Sequence, residues 1–141
     1  HLQLGGEPAH QGQAQLGRRP DVLSQDVLAS VQAELVDTPN ELSGSPWRRE
    51  RLNDAHYGLG WRIFDYAGER VVYHAGAVQG YRAVLALLPD SGFGIVMTWN
   101  CESSVPFGLL PTALDRRLGL ATRDWLELHR FAPRTPPRRK R

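Results

Sequence analysis

The residues best placed to do chemistry lie in one small-residue segment. His74, Ala75, Gly76 and Ala77 follow a run rich in β-branched and aromatic residues, 70–73, and precede an apolar run, 81–88. A single histidine at a strand end either fills a structural place or transfers a proton to or from a substrate. The glycine has no Cβ, so it either lets a ligand lie close to the backbone or marks a bend in a sheet.

The other histidines, the serines and the cysteine carry no comparable pattern. No metal site is predicted, because zinc-ligand spacing is absent from the remaining histidines, which are His1, His10, His56 and His129. Ser103 and Ser104 lack a nucleophile signature and are interpreted as helix caps. A lone cysteine, Cys101, excludes an internal disulfide framework, and no reactive role is predicted for it.

An antiparallel sheet is predicted to position the segment. Four apolar runs, each closed by a turn signal, lie between Tyr57 and Asn100, and short connections of this kind join antiparallel neighbours. The first run alternates apolar and other residues, which is the pattern of a half-buried strand. The predicted strands are 57–63, 70–73, 81–88 and 93–99, with turns at 67–68 and 89–92.

Helices are predicted on both sides of the sheet in the sequence, which gives an α+β fold with an antiparallel sheet flanked by helices. The first helix has Ser24 as its N-cap and ends before Pro39, with apolar residues four apart at Leu23, Val27, Val31 and Leu35. Residues 40–56 are interpreted as a surface loop. A second helix, which begins at 103–107 and ends at Gly119, has an apolar face made by Leu109, Leu110, Ala113, Leu114 and Leu118. Thr122 is predicted to cap a short third helix.

Length and charge limit the classes of protein that this chain can belong to. A chain of 141 residues is enough for one domain. No apolar run approaches the roughly 18 residues of a membrane span, and no signal peptide is recognised. The chain does not begin with methionine, and we interpret it as a fragment or a processed product. The net charge of +2 includes a basic cluster at the C-terminus, formed by Arg134, Arg138, Arg139, Lys140 and Arg141.

Five sequence pieces in order resemble the C-terminal portion of the serine β-lactamase-like family, which groups class C β-lactamases, low-molecular-mass penicillin-binding proteins and related esterases. They are the predicted sheet as a whole, its HAGAVQGY box, the YGLGW strand before the box, the LLPDSGFGIVMTWN hairpin after it and the LLPTALDRRLGL helix. The resemblance covers roughly Val22 to Trp125. It implies an acyl-serine mechanism on ester, amide or β-lactam bonds of a small molecule, without metal or organic cofactor. Many relatives work outside the cytoplasm, so the resemblance also favours a periplasmic or extracytoplasmic location.

The resemblance assigns roles to the small-residue segment. In the family, a Lys-Thr-Gly or His-x-Gly strand flanks the nucleophile, and here those positions are His74, Ala75 and Gly76. His74 would assist proton transfer or orient the acidic and basic partners. Gly76 would let the substrate lie close, and the backbone N–H of Ala77 would stabilise the oxyanion. Many relatives have threonine or serine at the position of Ala75, where the hydroxyl helps to hold a substrate carboxylate. Its loss favours an ester or amide substrate without that carboxylate.

Two upstream motifs of the family are absent from this sequence. No serine stands three residues before Lys140, which is the only lysine, so Ser-x-x-Lys is missing. No tyrosine is followed two places later by asparagine either. This chain by itself therefore lacks the nucleophile, which an upstream segment would supply.

The predicted organisation is a partial hydrolase domain over 1–131 and a disordered Pro/Arg-rich tail over 132–141. The alternative hypothesis is a non-catalytic fragment that uses the sheet or the tail for partner contacts. The tail charges suit an anionic partner, but no nucleic-acid-binding fold or interleaved aromatic residues accompany them, so nucleic acid binding is not predicted.

Overall fold

The computed structural model describes residues 7–131, which form two compact units. The first unit extends to Glu102 and contains the whole sheet, and the second begins at Ser103. The predicted basic tail, 132–141, lies outside the described residues. Within those described, no helix is long and apolar enough to cross a membrane.

Over its described residues, 7–102, the first unit contains three α-helices and six strands. The helices are α1 (Glu7–Gln15), α2 (Gln25–Val31) and α3 (Pro46–Arg51). The strands are β1 (Val36–Asp37), β2 (Leu52–Tyr57), β3 (Arg62–Tyr66), β4 (Glu69–Val78), β5 (Tyr81–Leu88) and β6 (Phe93–Trp99). Short 3-10 turns lie at Pro39–Ser43 and Pro89–Ser91.

The strands form one antiparallel sheet in the order β1-β2-β3-β4-β5-β6. Each strand therefore pairs with its neighbours in sequence, as expected for a meander with short connections. The predicted α+β class and the antiparallel meander are confirmed. Two of its turns follow from local chemistry: Ala67 and Gly68 both adopt positive φ, at 51° and 91°, and Gly92 adopts φ 63° after the Pro89 turn.

Both faces of the sheet carry a core, because side chains alternate between the faces along each strand. On one face Trp61, Val72 and Leu87 are buried together, and Leu16, which follows α1, packs against them. On the other face Trp47 from α3 contacts Phe64 and Tyr66, with ring centroids 6.3 and 6.1 Å apart. The strand that carries the candidate site is thus fixed from both sides over its first half.

The structure corrects the predicted start of the sheet. The predicted strand 57–63 is interrupted at Gly58, Leu59 and Gly60, which form a loop between β2 and β3. The apolar alternation continues through this loop, so the pattern did not reveal the break. The prediction of a surface loop over residues 40–56 is wrong, because α3 and most of β2 lie in this segment. Its Trp47 is buried.

The first predicted helix is correct in its cap and wrong in its length and face. The Ser24 side chain accepts a hydrogen bond from the Val27 N–H, as an N-cap does. The helix α2 ends at Val31, and Leu35 lies beyond it, immediately before β1. Leu28 is buried while Val27 is exposed, so the face that packs is one residue away from the predicted one. The pattern also missed α1.

In the second unit, the part of the chain that the structure describes contains one α-helix, α4 (Leu109–Leu118), preceded by a 3-10 turn at Val105–Gly108. Leu110 and Leu114 are buried as predicted, and Gly119 ends the helix with φ 66°. The third predicted helix is wrong: a turn and a short 3-10 segment, Leu128–Phe131, replace it.

Candidate functional site

The second half of β4 has an open edge. Residues of β4 up to Tyr73 pair with β3, whose first residue is Arg62. From His74 to Val78 the strand pairs with β5 and with no other described strand. Along this five-residue stretch, the backbone N–H and C=O groups that point away from β5 therefore pair with no other described strand.

The hairpin geometry tells which backbone groups face the open edge. A two-residue turn at 67–68 joins β3 to β4, so the flanking pair Tyr66 and Glu69 exchanges backbone hydrogen bonds. Every second residue from Glu69 onward then directs its N–H and C=O to the side of β3. The register with β5 has no shift to the end of β4, so Ala75 and Ala77 have the same orientation. Their N–H and C=O groups point to the open edge.

His74 is exposed beside this edge and is held in one orientation. Its Nδ1 lies 2.9 Å from the carbonyl oxygen of Gly60. A carbonyl oxygen only accepts, so Nδ1 carries the proton and donates it to this bond. In the neutral ring the lone pair is then on Nε2, which is the atom able to accept a proton. The ring of Trp61 contacts the His74 ring edge to face, with centroids 6.0 Å apart.

The Gly58–Gly60 loop supplies the carbonyl that orients His74. Gly58 donates its N–H to the Trp61 carbonyl at 2.8 Å, which closes the loop. A Cβ at Gly58 would lie 2.5 Å from the carbonyl oxygen of Ala33, so the segment after α2 packs directly on this position. The loop is therefore fixed by a neighbour that is distant in sequence.

An open groove begins at the same end of β4. It has a volume of about 540 Å³ and is lined by residues 76–78 of β4, 81–83 of β5 and 98–100 at the end of β6. Gly76 and Ala77 belong to both the open edge and the groove. A Cβ built on Gly76 would meet no atom within 4 Å, so the space above this residue is free.

Glu102 holds the hairpin at the end of this groove. Its carboxylate accepts the Gly80 N–H at 2.6 Å and pairs with the guanidinium of Arg82. The Gly80 hydrogen bond and the charge of Arg82 lower the pKa of Glu102, which is therefore ionised at neutral pH. No local pattern indicates this contact, because Glu102 follows β6 and lies twenty residues after Arg82.

A second polar cluster lies on the aromatic face, near the start of β3. Arg48 lies over the rings of Trp47 and Phe64, and it pairs with the Glu41 carboxylate. Arg62 lies 3.4 Å from the same carboxylate. Burial raises the pKa of the neighbouring Tyr73, so this hydroxyl stays protonated and is not a base at neutral pH.

His56 forms a third cluster, which the sequence did not predict. Its Nδ1 and Nε2 each lie 3.0 Å from a carboxylate oxygen, of Asp37 and Asp54 respectively, and Glu34 lies 3.7 Å away. Both nitrogens face acceptors, which fits the doubly protonated ring. Burial alone would lower the pKa of His56, but the hydrogen bond and charge of Asp54, with Glu34 and Asp37, raise it. The cluster ties β1 to β2.

The structure places the predicted site residues on one stretch of one strand. His74, Ala75, Gly76 and Ala77 are consecutive in β4. Cys101 is exposed, and the residues from 7 to 131 contain no group of side chains arranged to hold a metal ion. Ser103 accepts the Val105 N–H at 3.2 Å as a capping residue does, whereas Ser104 makes no side-chain cap bond.

Comparisons with known proteins identify the family. The sequence model of the family described as Beta-lactamase matches residues 14–119. Unguisins hydrolase ungD′ from Aspergillus campestris is 29% identical over 111 residues, which are 77% of this chain and 20% of that protein. Unguisins hydrolase ungD from Aspergillus violaceofuscus is 31% identical over 76 residues, which are 52% of this chain and 13% of that protein.

The fold comparison agrees with the family model. An octameric penicillin-binding protein homologue from Pyrococcus abyssi matches with a TM-score of 0.67 and 21% identity, over 80% of this chain and 24% of that one. The fold is thus that of the penicillin-binding proteins and their relatives. The chain belongs to the Beta-lactamase family, as the resemblance implied. It spans about a fifth of the length of the first relative named above.

Proposed function

We propose that this chain forms one wall of the active site of an acyl-serine hydrolase that cleaves an ester or amide bond in a small molecule. The observation that carries the proposal is the open edge of β4, where the backbone of Ala75 and Ala77 faces outward beside the His74 ring. The serine nucleophile and its base would come from a segment outside the 141 residues, since Ser-x-x-Lys is absent here.

The backbone of Ala77 is suited to stabilise an oxyanion. When a serine Oγ attacks the substrate carbonyl carbon, the carbonyl oxygen gains negative charge, and a fixed N–H donor lowers the energy of that state. The donor is part of a strand that is hydrogen-bonded to β5, so it needs little reorganisation during the reaction. Gly76, next to it, leaves room for the substrate because no side chain covers the strand there.

His74 would act on the proton that moves during acylation and deacylation. Its Nδ1 is committed to the Gly60 carbonyl, so Nε2 is the nitrogen that accepts or donates. Ala75 carries no hydroxyl, and this supports a substrate without a carboxylate at that place, such as a simple ester or amide. Both relatives named as hydrolases of unguisins are in accord with hydrolytic chemistry.

Substitution of His74 in the complete hydrolase tests this proposal. We expect His74→Ala to lower kcat for 4-nitrophenyl butyrate by about 10²-fold or more, because proton transfer typically contributes 10²–10⁴-fold. The exposed His10 on α1 gives the matched control, and His10→Ala should leave kcat unchanged. Circular dichroism should be the same for all three proteins. Unchanged kinetics for His74→Ala would refute the assigned role.

A further inference from the structure

Among the described residues that line the groove at the end of β4, one has a charged side chain. That residue is Arg82, which is directly opposite Ala77 in the pairing of β4 with β5. Its side chain is 20% exposed, so its charge is partly withdrawn from water. Such a guanidinium would normally attract a carboxylate from a ligand.

The charge of Arg82 is already neutralised within the chain. Its Nη2 pairs with Glu102, while its Nη1 donates to the carbonyl oxygens of Val78 at 3.0 Å and Tyr81 at 2.9 Å. Glu102 is itself fixed by the Gly80 N–H. An anionic ligand would have to compete with an internal carboxylate that is already in place.

The rest of the groove suits an apolar group. Val78 and Tyr81 are 68% and 62% exposed, and they present apolar surface on the two strands of the hairpin. Gly76 and Ala83 form the next cross-strand pair on the same face, and they leave space beside these larger residues. A volume of about 540 Å³ matches that of pockets for small organic ligands, which are typically about 300–1,000 Å³.

We propose that Glu102 determines substrate specificity: by neutralising Arg82 it reserves the groove for an uncharged, apolar group of the substrate that lies next to the scissile carbonyl. That the occupant of the groove is part of the substrate rests on the proposed function. It adds that the groove is selective for neutral over anionic groups, and that one carboxylate outside the strands sets this selectivity.

Binding of a matched pair of probes tests the inference. The probes are N-acetylphenylalanine amide, which is neutral, and N-acetylphenylalanine, which bears a carboxylate. Their Kd values are measured on the 141-residue chain by NMR titration, following the amide signals of Gly76 and Gly80. We expect the wild type to bind the neutral probe more tightly. In Glu102→Gln the amide oxygen still accepts the Gly80 N–H, but Arg82 loses its ionic partner. The ratio of the two Kd values should therefore shift by about 5-fold in favour of the carboxylate probe, which is the size expected for one partly exposed ion pair.

Two further variants test whether the charge of Arg82 causes the shift in the Kd ratio. The double variant Glu102→Gln with Arg82→Gln should return the ratio to near the wild-type value, because the freed cation is gone. Arg82→Gln alone should weaken binding of the carboxylate probe and leave the neutral probe unchanged.

The outcomes separate this inference from the proposed function. If the ratio shifts as expected while the complete protein hydrolyses no ester, the groove inference stands and the proposed function fails. If neither probe binds the wild type, or the ratio is the same in the wild type and in Glu102→Gln, the groove inference is overturned whatever the hydrolytic activity.

Discussion

Replacement of Gly58 with alanine tests whether the loop that orients His74 is fixed by packing. The new Cβ would lie 2.5 Å from the Ala33 carbonyl oxygen, 3.2 Å from Cδ1 of Ile63 and 3.3 Å from the Val31 carbonyl oxygen. Two of these three neighbours are backbone atoms, which cannot rotate away. The loop or the segment after α2 would have to move by roughly 0.5 Å, since the interior is close-packed.

The energetic cost follows from this contact. Overpacking typically costs about 1–3 kcal/mol, and the lower chain entropy of alanine in the unfolded state offsets about 0.4–1 kcal/mol of it. We expect Gly58→Ala to lower the free energy of unfolding by about 1–2 kcal/mol, measured by urea denaturation with tryptophan fluorescence. Because Gly60 moves with the loop, the His74 ring signals should also shift in NMR spectra.

Gly76→Ala is the matched control for this variant. A Cβ at Gly76 meets no atom within 4 Å, so its free energy of unfolding should stay equal to that of the wild type or rise by up to about 1 kcal/mol. If Gly58→Ala proved as stable as Gly76→Ala, the packing account of the loop would be wrong.

The remaining predictions concern pH and the open edge. The pKa of His56 is raised in the folded state, so the stability that its protonation contributes is complete below the ordinary histidine value of about 6.5 and is lost as pH rises through the raised value. Urea denaturation should therefore show falling stability over this window, and His56→Gln should reduce the slope; an equal slope in both proteins would contradict the cluster geometry. Along β4, the N–H groups of Ala75 and Ala77 should exchange with solvent hydrogen faster than those of Gly76 and Val78, which bond to β5. Equal protection at all four positions, measured by NMR, would refute the assigned orientation.

Local chemistry made much of the sheet predictable. The turns at 67–68 and 89–92 depend on residues within the turns themselves, and the apolar runs of β5 and β6 flank the second turn. The Ser24 cap and the Gly119 stop were recognised for the same reason. Features that are set within a few residues can be read from a single sequence.

Features set by distant contacts were missed. The predicted strand breaks at Gly58, where the Ala33 carbonyl packs on the backbone, and no local pattern records that contact. Trp47 is buried by the aromatic residues of β3, although its neighbours in sequence are mostly charged. Glu102 and Arg82 are twenty residues apart, and only the fold brings them together.

The candidate site was predicted through the family resemblance rather than through the residues alone. His74 with two small neighbours does not distinguish a structural histidine from a proton-transfer group. The structure adds a physical argument for this segment. The pairing of β3 with β4 ends at Tyr73, so the backbone of Ala77 lies on an open edge. The roles of His74, Ala75, Gly76 and Ala77 stay predictions.

Labelling of the native protein with a fluorescent fluorophosphonate, together with its intact mass, tests the central claim most directly. The account predicts a labelled species heavier than 15.8 kDa, with label on a serine outside these 141 residues and slower labelling in His74→Ala. A native species of 15.8 kDa that takes up no label would contradict the claim that this chain forms part of an acyl-serine hydrolase.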